Sequence, residues 1–174
     1  MNDSNLSEKL KKIKLLAMDV DGTMTNSTVY YSKNGEELKR FCIRDGMGME
    51  LLRREGIGTA IVTSENSPIV IARANKLKIE HLLLGSRNKK KDIEQLADNL
   101  HIGVDEIAFI GDDINDLQAI QTAGVGACPS DSHELIKENA DYICEAKGGE
   151  GAIREIIEKI LISQKKSISL PESW

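Results

Sequence analysis

Six short apolar runs, rich in β-branched residues and separated by segments of helical period, set the strongest limit on how this chain can fold. The runs are 13–18, 59–62, 81–84, 107–110, 125–128 and 142–144; helical segments fall near 47–55, 67–78, 90–100, 114–122, 132–139 and 151–162. Strands that lie side by side in parallel need a long crossover, which a helix supplies, and their sheet must be covered on both faces. The predicted architecture is therefore α/β: three layers, Rossmann-like, with a mostly parallel sheet between helices. Ser67 before Pro68 suits an N-cap and first helical position, and Ser130 or Asp131 suits the cap of the helix ending before Ala140. One segment breaks the alternation. Residues 28–43 have two extended halves around Asn34-Gly35, a dipeptide suited to a tight turn, and predict a β-hairpin projecting from the layers.

With 174 residues, 40% of them hydrophobic, one core suffices, so residues 1–174 are expected to form a single domain. Residues 1–11 are expected to be a frayed lead-in and 164–174 a disordered tail. The 23 basic and 28 acidic residues leave a net charge of -5, which argues against a general binder of nucleic acid or of membrane surfaces. Cys42, Cys128 and Cys144 are odd in number and form no C-x-x-C pair, so neither a disulfide framework nor a zinc site is expected; a reducing, cytoplasmic setting fits. The charged N-terminus has no apolar signal-peptide core, and no apolar run reaches the length of a membrane span. His81, His101 and His133 are scattered and receive no role.

In open parallel sheets ligands collect beyond the carboxyl ends of the strands. There the first run delivers Asp19 and Asp21, the second Thr63 and Ser64, the third Gly85 and then Lys89, and the fourth the stretch "GDDIND" with Asp112, Asp113 and Asp116. Each piece is ordinary alone: Lys89 sits in a run of three lysines that would suit a solvated helix start, Thr63 could cap a helix, and acids favour helix N-termini. An EF-hand beginning at Asp19 fails, because Met24 and Tyr30 stand where Gly and Glu are required. Brought to one edge, these residues make a site of several carboxylates, one ammonium and two hydroxyls. So many like charges need a cation, and an all-oxygen set favours Mg²⁺. Phosphoryl transfer suits the set: one carboxylate attacks phosphorus, a metal and a lysine neutralise phosphate oxygens, and a second carboxylate moves a proton.

The ordered set "DVDGT", Thr63, Lys89 and "GDDIND" resembles the four motifs of the haloacid dehalogenase-type phosphatases, spread over residues 19–116. The resemblance implies that Asp19 is the nucleophile, Asp21 the acid and base, and Thr63, Ser64 and Lys89 the phosphate holders. It implies that Asp19, Asp112 and the backbone carbonyl of Asp21 hold Mg²⁺, with Asp113 and Asp116 behind them. Many members insert a cap domain after the first or second motif; here only the hairpin and one helix fit between Asp21 and Thr63, so no cap is expected. An uncapped site is open to a large substrate or closed by a neighbour, and the hairpin's free edges suit pairing between copies.

From about Lys12 to Ile162, "NGEELKRFCIRDGMGMELL", "GDDINDL" and "KGGEGAIREI" are similar to a cap-less subgroup. It includes the 3-deoxy-D-manno-octulosonate 8-phosphate (KDO 8-phosphate) phosphatases and the sialic-acid-type nonulosonate 9-phosphate phosphatases. The resemblance implies a homotetramer around the hairpins, with the glycine-rich segment and the tail near a shared site. Octulosonate enzymes usually carry Thr-Gly-Arg after the second strand; this chain has "TSEN", and Glu65, Arg73 and Lys76 fall where the nonulosonate-type enzymes are similar. Arg73 and Lys76, three apart on one helix, could attract a sugar-acid carboxylate, and Glu65 could accept from hydroxyls. The expected function is Mg²⁺-dependent hydrolysis of a phosphorylated 3-deoxy-2-keto sugar acid. A receiver-like phospho-aspartate module, a phosphatase of other small sugar phosphates and a catalytically idle assembly protein are the competing readings; Asp21, two residues from the expected nucleophile, argues against the receiver.

Overall fold

The computed structural model describes residues 3–170 and 172. Its strands are β1 (Leu15–Met18), β2 (Thr25–Ser32), β3 (Gly35–Phe41), β4 (Gly58–Val62), β5 (His81–Leu83), β6 (Ile107–Ile110), β7 (Val125–Cys128) and β8 (Tyr142–Ile143). Its α-helices are α1 (Asp3–Lys11), α2 (Ile43–Arg54), α3 (Pro68–Leu77), α4 (Lys89–Leu100), α5 (Leu117–Thr122), α6 (Glu134–Asn139) and α7 (Ala152–Ser163). Six strands form one sheet in the order β5-β4-β1-β6-β7-β8, all parallel, and β2 pairs with β3 in a separate antiparallel hairpin. All six apolar runs became strands of that sheet, as the α/β reading predicted. The chain steps outward from β1 in one direction and then in the other, which puts the switch point between β1 and β6.

The sheet's period of two divides the core in two. Leu16, Met18, Ile61, Ala108 and Ile110 face one side, where Met49 and Leu52 of α2, Val70 of α3 and the wholly buried Ile153, Ile156, Ile157 and Ile160 of α7 cover them. Leu15, Ala17, Ala60, Val62, Ile107 and Phe109 face the other, against Ile93 and Leu96 of α4, Ile120 of α5 and Ile136 of α6. Truncating one of these fully buried side chains to alanine costs about 2–5 kcal/mol. Among the described residues no helix is long and apolar enough to cross a membrane, and nothing beyond the hairpin is inserted as a cap.

Several local expectations are corrected. The lead-in is not frayed over residues 3–11: these form α1, whose Leu10 is buried against α7, because Leu6 and Leu10 share one face. Helix α2 starts at Ile43, four residues before the predicted 47; Gly46 and Gly48 lower helix propensity, yet they stand where α2 passes closest to Leu77 and Arg154. The hairpin turns at Lys33–Asn34, one residue early, and the positive φ belongs to Gly35 (107°), beside a slip in register between Tyr30 and Tyr31. Helix α6 is capped by His133, whose Nδ1 accepts from the Leu135 amide at 3.2 Å, rather than by Ser130 or Asp131. The tail is ordered through 164–170: the Gln164 side chain donates to the carbonyls of Leu10 and Ile13, Lys166 to that of Glu55, and Leu170 packs on the core. Its last residues, 171, 173 and 174, lie outside the described set, and with them the expectation that the tail's end reaches a neighbour.

Candidate active site

β1 ends at Met18, and the Asp19 amide still donates to the Ile110 carbonyl, so the nucleophile candidate leaves the sheet at the switch point. Beyond it, Gly22 has φ 96°, and a Cβ there would lie 1.9 Å from Asp112 Oδ2; the turn needs glycine both for its conformation and for the approach of that carboxylate. The Thr23 amide closes the turn by donating to the Val20 carbonyl at 3.3 Å and its side chain donates across to Asp112 Oδ1 at 3.0 Å, while Thr25 Oγ1 accepts from the Gly22 amide at 3.2 Å. The glycine-rich loop presses on the same turn: a Cβ on Gly148 would meet the Gly22 carbonyl at 1.8 Å, and the Gly149 amide donates to Thr23 O at 3.0 Å.

Lys89 is the hub. It opens α4, where Asn88 caps the helix by accepting from the Lys91 amide at 3.0 Å, and its side chain is 2% exposed. Its Nζ donates to Asp19 Oδ1 at 2.6 Å and to Asp116 Oδ1 at 2.5 Å. Burial pulls the ammonium toward neutrality, and the two carboxylates outweigh it, leaving the group above its ordinary value. The three-lysine run is thus not simply a solvated helix start. Asp116, 0% exposed, also accepts from the amides of Asp112 (3.0 Å) and Asp113 (3.3 Å), so it belongs to the centre of the cluster. Asp113 faces outward and accepts from the Ile114 amide at 2.8 Å.

Asp19, Asp112 and Asp116 bring carboxylate oxygens within 4.8 Å of one another. Burial, with Asp116 beside it, pushes the Asp19 carboxyl up, and Lys89 pulls it back. Asp112 is pushed up to about 8 by burial and by Asp19, with Thr23 opposing. Such a set resists full ionisation until a cation joins it. Asp116 is saturated by Lys89 and two amides, so the oxygens fit for a hard divalent ion are those of Asp19 and Asp112. Thr63 is 2% exposed at the end of β4 and its Oγ1 accepts from the Glu65 amide at 3.3 Å; Ser64 Oγ accepts from Asn115 at 3.4 Å. Ser64 and Lys89 open into a cavity of about 410 Å³ with Ser86, Arg87, Asn88 and Asn115.

Comparison with known proteins agrees with this geometry. A family model described as haloacid dehalogenase-like hydrolase matches residues 60–157. The chain belongs to the haloacid dehalogenase-like hydrolases. The 3-deoxy-D-manno-octulosonate 8-phosphate phosphatase of Escherichia coli K12 is 36% identical over 158 residues, 91% of this chain and 84% of that protein. The corresponding phosphatase of Moraxella catarrhalis, solved with magnesium ion, phosphate ion and KDO, superposes with TM-score 0.92 and 38% identity over 94% of each chain. A cobalt-bound form from Haemophilus influenzae gives TM-score 0.89 at 34% identity, over 91% of this chain and 93% of that one.

Two features of the hydrolase were not read from its sequence. The first is on the hairpin: Lys39, with a side chain 1% exposed, donates to Asp21 Oδ1 at 2.5 Å and pairs with Glu36 at 2.7 Å, and Glu36 accepts from Ser67 Oγ. Burial opposes the charge on Glu36, but the bonds from Lys39 and Ser67 outweigh it and hold its carboxyl below the ordinary range. The available signal was a lone lysine in a hairpin directly following the first motif. The second is the placement of Arg73 and Lys76. They line a cavity of about 550 Å³ between α2 and α3 with Glu50, Arg53 and Arg54, and none of the strand-end residues. Arg73 donates to the Cys42 carbonyl at 3.1 Å and lies over Phe41, 5.4 Å from the ring centroid. Glu65 instead follows Ser64 beyond the end of β4 and does not line that cavity, so the chain does not bring the three together there.

Proposed function

We propose that this hydrolase removes the phosphate of a phosphorylated 3-deoxy-2-keto sugar acid through an aspartyl-phosphate intermediate. The observation that carries the reading is the Lys89 ammonium bridging Asp19 and Asp116 at the switch point. It leaves Asp19 buried, paired and facing the region beyond the strand ends. An oxygen of Asp19 attacks phosphorus while Lys89, Thr63 and Ser64 hold the phosphate oxygens in place of water. Asp21 gives a proton to the leaving alcohol and later takes one from the water that hydrolyses the acyl phosphate. Asp19, Asp112 and the Asp21 backbone carbonyl would hold Mg²⁺, which supplies positive charge against the transferred phosphoryl group. Asp116 keeps Lys89 aimed, and Asp113 shapes the loop.

Relatives named as KDO 8-phosphate phosphatases across more than nine-tenths of the chain favour that substrate. The "TSEN" segment in place of Thr-Gly-Arg favours a nonulosonate 9-phosphate. Arg73 and Lys76 open away from Asp19, so their part in holding a sugar-acid carboxylate would be exercised on a neighbouring subunit's site. A homotetramer built on the hairpins is supported by the exposed Tyr30, Tyr31, Leu38 and Ile43, the last 83% exposed. Three free cysteines, two of them buried, suit a reducing cytoplasm. The test is side-by-side kcat/KM on KDO 8-phosphate, a nonulosonate 9-phosphate and glucose 6-phosphate with Mg²⁺. Preference for either sugar acid is expected, and no preference over glucose 6-phosphate would overturn the substrate class.

A further inference from the structure

We propose that Lys39 is a positioning residue for proton transfer by Asp21, which makes the hairpin part of the catalytic machinery of its own protomer. The inference rests on the reading of Asp21 as the proton donor.

Three observations carry it. The Lys39 side chain is covered although it comes from a hairpin whose Tyr30, Tyr31 and Leu38 stand in solvent. Its ammonium joins Asp21 and Glu36, and Glu36 is tied in turn to Ser67 at the start of α3, so Asp21 is anchored to the layered core through the hairpin. Among the described residues Lys39 is the one side chain bonded to Asp21, and it takes Oδ1 alone. The other carboxylate oxygen is left to work in the site.

Asp21 and Glu36 keep 29% and 17% of their side-chain surface in water, where screening leaves an ion pair little net stability. Stability alone therefore gives a poor account of it, and orientation gives a better one. A proton donor works only when its oxygen is held within hydrogen-bond reach of the departing atom. In the first half-reaction a bond forms between an Asp19 oxygen and phosphorus as the bond from phosphorus to the sugar oxygen breaks. The proton on Asp21 passes to that oxygen, giving the free alcohol and leaving Asp21 an anion. Lys39 stands where that negative charge appears.

The experiment varies the leaving group. A sugar alkoxide needs the proton; p-nitrophenolate leaves well without it. The quantity read is kcat/KM, which reports the steps through release of the first product and is blind to later hydrolysis of the acyl phosphate. For Lys39→Met the ratio of kcat/KM on KDO 8-phosphate to that on p-nitrophenyl phosphate is expected to fall about 10–100-fold, the range set by general acid catalysis. Lys39→Arg should recover most of the ratio, and Asp21→Asn should lower it at least as far. A loss shared equally by both substrates in Lys39→Met would mark Lys39 as structural and overturn the proposal. If Asp21→Asn leaves the ratio unchanged, the proton-donor reading itself falls, and the proposal with it. If Asp21→Asn lowers the ratio and Lys39→Met does not, only the role given to Lys39 is lost.

Discussion

Two ammonium groups in this molecule each bridge a pair of carboxylates, and they stand on opposite kinds of scaffold. Lys89 opens a capped helix and lies among groups 0–6% exposed. Lys39 rides on a hairpin outside the sheet, and its partners Asp21 and Glu36 keep 29% and 17% of their side-chain surface in water. The same chemistry therefore has different consequences. Around Lys89 the protein cannot rearrange or rehydrate without opening its core edge, so that pair fixes the position of Asp19. Around Lys39 the carboxylates can regain water, which suits the proton transfer proposed for Asp21.

The sharpest way to break this contrast is to remove each charge in turn. Lys89→Met leaves Asp19 and Asp116 buried without a counter-charge. It should cost about 3–5 kcal/mol of metal-free stability by denaturant unfolding and lower kcat about 10²–10³-fold through lost phosphate stabilisation. Lys39→Met should cost only about 1 kcal/mol, because exposed partners are screened. Equal costs would mean that the hairpin is as much a part of the folded core as α4.

A second test uses pH. Asp112 holds its proton up to about 8 in the metal-free fold, against 3.8 for an ordinary aspartate. Over that window the native state binds more protons than the unfolded chain, so metal-free stability should fall as pH rises from about 4 to about 8. Mg²⁺ requires the ionised carboxylate, so its affinity should rise by up to about tenfold per pH unit below 8 and then level off. Calorimetric titration in two buffers of different protonation enthalpy would show proton release on binding. A pH-independent affinity would mean that Asp112 is not the ligand.

The smallest expected effect concerns the tip of the hairpin. Tyr31→Asp, at a residue 73% exposed, should change protomer stability by no more than about 0.5 kcal/mol. If copies pair through the hairpins as proposed, the same change should lower the mass seen in sedimentation. An unchanged mass would remove the hairpin tip from the subunit contact.

The difference between the two lysines also explains what could be read without coordinates. Lys89 follows the third strand, the alternation of strands and helices fixed which ends gather together, and the resemblance supplied the role expected of it. Thr63 and Asp112 were legible for the same reason. Lys39 lies in a segment whose orientation depends on how a hairpin folds back over the strand ends, and no periodicity in "GEELKRF" encodes that direction. The missed start of α2 and the shifted hairpin turn share this origin: Gly46, Gly48 and Gly35 answer tertiary contacts or a register slip rather than local propensity. The folding of residues 3–11 into α1 likewise depends on packing against α7, at the far end of the sequence.

The central claim is that Asp19 carries the phosphoryl group. Rapid acid quench of the enzyme during turnover of KDO 8-phosphate with Mg²⁺, followed by peptide mass spectrometry, tests it directly. The predicted result is one phosphoryl group on Asp19, absent from Asp19→Asn together with activity. Full activity of Asp19→Asn, or phosphate found on another residue, would contradict it.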